Sequence, residues 1–74
     1  MLKTTDAAYI RVLEEKAFLE SKVEKLDIFV RAARRGELKD SRLDHSDIEL
    51  LEEQLHYMRG YLRILNARIA RVDN

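Results

Sequence analysis

The residues best suited to chemistry lie between positions 56 and 63, where the sequence reads His-Tyr-Met-Arg-Gly-Tyr-Leu-Arg. On a helix, residues three and four apart are neighbours, so Tyr57 and Tyr61 share one side with Ile64 and Arg68. Tyrosine rings can stack on bases, and arginine forks grip phosphate oxygens in pairs of charge-assisted hydrogen bonds. This strip is therefore a candidate site for a nucleotide.

Two more arginines, Arg59 and Arg63, share another side of the same helix with His56. The candidate ligand-binding residues are Tyr57, Tyr61, Arg68, Arg59 and Arg63. Gly60 costs about 1 kcal/mol relative to alanine inside a helix, and it could allow close approach of a ligand or a second helix. The alternative is that the tyrosines pack at an interface and the arginines form ion pairs.

The sequence offers no convergent set of residues for catalysis. His45 and His56 lack a paired metal-ligand spacing, and the acidic residues from 40 to 47 lack the glycine and terminal glutamate of a calcium loop. A glycine-rich phosphate loop is also missing from the sequence. We therefore expect no enzyme activity, no metal and no cofactor.

Composition restricts the class of protein further. The 74 residues include no cysteine, no proline and two glycines, a composition that favours long helices in a single domain, residues 1–74. Fourteen basic residues balance fourteen acidic ones, which makes nucleic acid an unlikely partner. No apolar run approaches the ~18 residues of a membrane span, so we expect a cytoplasmic protein without membrane contact.

The elements that position these residues are two helices and a connector. The first helix is predicted at about residues 6–35, capped by Thr5 or Asp6 and ended by Gly36. The connector covers residues 36–46, and the second helix runs from about 47 to 72. Ser46 and Glu49 have the spacing of a capping box at its start.

Both helices carry an apolar stripe whose positions step alternately by three and four. The stripes hold Tyr9, Val12, Lys16, Leu19, Val23, Leu26, Val30 and Ala33 in the first helix, and Ile48, Leu51, Leu55, Met58, Leu62, Leu65, Ile69 and Val72 in the second. Facing positions always sum to 81, so one register satisfies the whole length. The pattern predicts an all-α fold, a coiled-coil-like antiparallel two-helix hairpin.

Several large apolar residues lie outside the stripes, where a lone hairpin cannot cover them. We expect them to form an interface in a homo-oligomeric helical bundle, since exposed apolar patches usually mark contact sites. The predicted interface residues are Ile10, Leu13, Phe18, Ile28, Phe29, Leu50 and Ile64.

The sequence also resembles a family of short helical-hairpin proteins encoded by tailed bacteriophages and prophages. The resemblance rests on residues 9–16 (YIRVLEEK), 19–26 (LESKVEKL), 50–55 (LLEEQL) and 61–65 (YLRIL), with Phe29, Met58, Arg68 and Ile69. It implies a phage accessory protein that acts in the infected bacterial cell. By analogy, such a protein is a counter-defence sponge for a cyclic nucleotide or cyclic ADP-ribose-type signal, bound at subunit interfaces. The alternative is an oligomeric adaptor or inhibitor of a host defence protein or a phage protein.

Overall fold

Two antiparallel helices make up the hairpin in the computed structural model, which describes residue 3 and residues 6–38 and 42–72. Helix α1 spans Ala7–Arg34 and helix α2 spans His45–Ala70. The molecule is a rod of 50 × 16 × 14 Å. The predicted all-α hairpin is confirmed, and both helices begin or end within two residues of the predicted limits. Residues 39–41 of the predicted connector lie outside the described residues.

The two ends of α1 are stabilised differently. Asp6 is the N-cap residue by position, but its carboxylate accepts from the backbone N–H of Lys3 at 2.9 Å, so the predicted side-chain cap is wrong for Asp6. Thr5 lies outside the described residues. At the other end Gly36 has φ +73°, and Gly36 and Glu37 donate to the carbonyls of Ala33 and Ala32. This is a Schellman motif, which needs the left-handed conformation that glycine adopts without strain.

Helix α2 begins with a capping box, but with different residues from those predicted. Asp47 N–H donates to the Asp44 carboxylate at 2.8 Å, and Asp44 N–H donates to the Asp47 carboxylate at 3.0 Å. The predicted Ser46–Glu49 box is wrong, because the helix starts two residues earlier and Ser46 already lies inside its first turn. Two carboxylates at the positive end of the helix dipole favour this earlier start.

The core follows the two predicted stripes. All sixteen stripe positions are buried or half-buried, and Leu65 is fully buried. Val12 and Leu19 pack with Leu65 in one cluster, against which Val23, Met58, Leu62 and Ile69 are packed. Lys16, which the register places opposite Leu65, is half-buried. A lysine stem can lie along an apolar seam while its ammonium reaches water, so this polar residue does not interrupt the packing.

The capping assignment gives a direct test. We expect Asp44→Ala to lower the free energy of unfolding by about 1 kcal/mol, the usual cost of losing an N-cap side chain. Ser46→Ala, two residues away, is the matched control and should change it little. Urea denaturation at one fixed chain concentration measures both. A larger loss for Ser46→Ala than for Asp44→Ala would contradict the assignment.

Candidate functional site

The apolar seam divides the surface of the hairpin into two flanks, and polar contacts between the helices show which residues lie on each. On one side Arg34 pairs with Glu52 and Arg59 pairs with Asp27. On the other side the Tyr61 hydroxyl donates to Glu15. Helical spacing places further residues on the same sides. The ionic flank is defined by Asp27, Arg31, Arg34, Glu52, Arg59 and Arg63, and the aromatic flank by Phe18, Phe29, Leu50, Tyr57, Tyr61 and Ile64.

Two ion-pair groups cross the seam on the ionic flank. Arg34 makes a bidentate contact with Glu52, with Nε–Oε2 at 3.0 Å. Asp27 accepts from Arg59 Nη2 at 2.8 Å through one oxygen and from Arg31 Nε at 3.0 Å through the other. Asp27 is the most covered member, with 23% of its side chain exposed, whereas Arg31 is 68% exposed. These contacts hold the helices in register and leave guanidinium surface open to solvent.

The Arg34–Glu52 contact shifts the protonation of both groups. The hydrogen bond from Arg34 lowers the pKa of the Glu52 carboxyl, and the carboxylate raises the pKa of Arg34 in return. The Nδ1 atom of His45 lies 3.4 Å from Arg34 Nη1, beside this pair. Glu52 is therefore ionised over a wider pH range than an ordinary glutamate.

An open groove of about 430 Å³ runs along this flank. Four arginines, two acids and two apolar side chains line it: Arg31, Arg34, Arg35, Arg59, Asp27, Glu52, Val30 and Leu55. Arg35 pairs with Glu37 just after it in the chain, at 2.7 Å, rather than with α2. The groove therefore concentrates guanidinium groups, the side chains that bind phosphate through paired hydrogen bonds, over an apolar floor.

The five residues predicted to bind a ligand lie on both flanks. Tyr57 and Tyr61 are 66% and 42% exposed on the aromatic flank, and exposed Arg68 lies on the same side of α2. Arg59 lines the groove, and exposed Arg63 lies one turn beyond it. One chain therefore does not bring the five residues into a single site. A ligand that touches both sets requires a second subunit.

Sequence reasoning missed Arg31, Arg34 and Arg35 as groove residues and treated them as the basic end of the first helix. The residue numbers do contain a signal that predicts the pairing of charges across the two helices. Arg34 with Glu52 and Asp27 with Arg59 both have position numbers that add up to 86, so one offset pairs charges along the flank. Among the described residues no group of three histidine, aspartate or glutamate side chains has the geometry for a metal ion.

A protein-family model described as Sequestin matches residues 7–71, which covers both helices and the turn between them. The chain belongs to the Sequestin family. No curated protein and no solved structure matches it. Neither described helix of this family member has an apolar stretch long enough to cross a lipid bilayer.

The Arg34–Glu52 pair predicts a pH dependence. Because folding depresses the Glu52 pKa below its ordinary 4.5, the pair stabilises the fold above that pH and stops doing so as the pH falls through the folded value. An NMR titration should show Glu52 ionising below 4.5 in the natural chain. In Arg34→Ala the midpoint should rise towards the ordinary value. Identical midpoints in the two proteins would contradict the pairing.

Proposed function

We propose that this chain is a non-catalytic phage sponge that sequesters a cyclic nucleotide or cyclic ADP-ribose-type immune signal. It acts against host defence in the cytoplasm of the infected bacterial cell, as a homo-oligomer. The observation that carries the proposal is the groove in which four arginines converge on one side of the hairpin. Membership of a family whose name denotes sequestration supports the same function.

The groove suits a ligand with phosphate groups on an organic body. Asp27 and Glu52 engage Arg31, Arg59 and Arg34, but each guanidinium has five N–H donors and keeps some of them for an incoming anion. Val30 and Leu55 lie beneath them at the floor, but each is only 5% exposed, so they give a ribose or base little apolar contact. The planar guanidinium groups can stack on a base as well as bind phosphate, so the lining favours a nucleotide over a purely inorganic anion.

Sequestration needs affinity and enough copies of the protein, and it needs no acid, base or nucleophile. The groove fits this requirement because its carboxylates are held as partners of arginine rather than directed at a substrate. The chain therefore captures its ligand stoichiometrically and releases the unchanged molecule when the protein is denatured.

A thermal-shift screen with cyclic mononucleotides, cyclic dinucleotides and cyclic ADP-ribose identifies the ligand, and calorimetric titration locates it. Arg31→Ala and Arg35→Ala should each weaken binding by roughly ten- to a hundredfold, because a hydrogen bond to a charged group contributes about 1.5–3 kcal/mol. Neither arginine pairs across the helices in the described residues, so the hairpin should persist, which circular dichroism checks.

Arg68→Ala is the matched control, an exposed helical arginine on the other flank, and should leave the affinity unchanged. If Arg68→Ala weakens binding and Arg31→Ala does not, the nucleotide binds the Tyr57–Tyr61–Arg68 strip instead. Recovery of hydrolysed nucleotide from the complex would contradict a non-catalytic role.

The exposed aromatic flank supports a second candidate function, that of an oligomeric adaptor or inhibitor of a host or phage protein. Phe18, Leu50 and Tyr57 each expose more than 60% of their surface, as protein-docking residues do before binding. If no nucleotide in the panel stabilises the chain, the proposed sequestration of a nucleotide is wrong, and the adaptor or inhibitor becomes the better-supported function.

A further inference from the structure

The aromatic flank carries six of the nine large hydrophobic side chains that are exposed among the described residues. They are exposed by 40–66%, whereas only five hydrophobic residues are buried among the described ones. A 74-residue chain with so small a core is marginal by itself and usually needs further burial. The flank is therefore the surface whose covering would add most to stability.

The area is sufficient for a specific dimer. Aromatic side chains present about 150–250 Å² each, so the six partly exposed residues offer on the order of 600 Å² per copy. Two such faces bury roughly 1,200 Å², the lower limit of stable protein interfaces. Rim contacts from neighbouring residues add to this area.

The positions of these residues have an internal two-fold pattern. On α2, Leu50 and Ile64 lie seven residues before and after Tyr57. On α1, Phe18 and Phe29 are placed evenly about residues 23 and 24, and the seam register sets residue 24 level with Tyr57. Rotation by 180° about an axis through this level exchanges Leu50 with Ile64 and Phe18 with Phe29. A two-fold axis at this level therefore sets apolar residues of one copy opposite apolar residues of the other, and the same patch serves both copies, as in an isologous dimer.

The charges on α2 favour one direction of the axis, although the same axis sets Lys22 of α1 level with Lys25 of the other copy. On this flank the end of the hairpin near the chain termini carries Arg68 and Arg71, and the connector end carries Asp44 and Asp47. A two-fold axis perpendicular to the helices sets the basic end of one copy against the acidic end of the other. An axis along the helices would set Arg68 and Arg71 of one copy against α1 of the other, away from its Asp44 and Asp47.

We infer that the aromatic flank binds a second copy of this chain in an antiparallel, two-fold dimer, a four-helix bundle in which α2 packs on α2 and α1 on α1. Tyr57 meets its counterpart at the axis, and Leu50 of each copy meets Ile64 of the other. The two arginine grooves then lie on opposite outer faces, each built from one chain. This deepens the homo-oligomer of the proposed function by naming its interface and symmetry, and its test does not depend on any ligand.

Light scattering at micromolar concentration should give twice the chain mass of 8.7 kDa. Leu50→Glu places a charge in the interface and should halve that mass. Ile28→Glu is the matched control. The sequence predicted Ile28 at the interface, but helical spacing places it on the outer side of α1, away from the aromatic flank, and it is similarly exposed, at 60% against 64%. A monomeric natural chain, or a dimer that Ile28→Glu disrupts and Leu50→Glu does not, would overturn the inference.

Cross-linking tests the direction of the two-fold axis and does not require a variant that is a stable monomer. The chain has no cysteine, so single cysteines report only the designed contact. A mixture of Leu50→Cys and Ile64→Cys should form a mixed disulfide dimer, and Tyr57→Cys should link to itself. An axis along the helices would instead join Leu50→Cys to Phe29→Cys. That result, or equal yields for both mixtures, would refute the antiparallel dimer.

Discussion

The apolar seam between α1 and α2 is the constraint on which everything else depends. Alternating steps of three and four keep each stripe facing the other helix over its full length, and a single register buries Val12, Leu19 and Leu65 together. Sliding one helix by a turn would expose this cluster and separate Arg34 from Glu52. The seam therefore fixes the positions of charged groups that contribute little to stability themselves, since exposed ion pairs add only about 0–1 kcal/mol each.

The fold could be predicted because a stripe of this length allows few alternatives. Burial of apolar side chains is the largest favourable contribution to the free energy of folding, and the helical spacing of those side chains can be read directly from the sequence. The capping box could not be predicted in the same way as the apolar stripes. Asp44–Asp47 and Ser46–Glu49 both have the required spacing, and the choice depends on a start point two residues earlier. Such a difference comes from local hydrogen bonds of about 1 kcal/mol, which residue types alone do not rank.

The candidate site was only partly predictable for a related reason. Tyr57, Tyr61 and Arg68 attract attention because they are close in sequence, whereas the groove joins Arg31 and Arg35 to Arg59 across the hairpin. Contacts between residues far apart in sequence can be predicted only when the register of the seam is also used to pair residues on the flanks. The same step also shows that the five predicted ligand-binding residues divide between two sides of one chain.

The division between the flanks has a physical logic. A surface that holds a charged ligand must stay hydrated and open, and a surface that holds a second chain must be apolar enough to exclude water. Placing Tyr57 and Leu50 on one side and Arg34 and Arg59 on the other would let one thin hairpin meet both demands, as we propose. Ions screen the first kind of contact strongly and the second weakly. If the two flanks have the roles that we propose, salt should release a nucleotide from the groove at concentrations that leave the association of the chains intact.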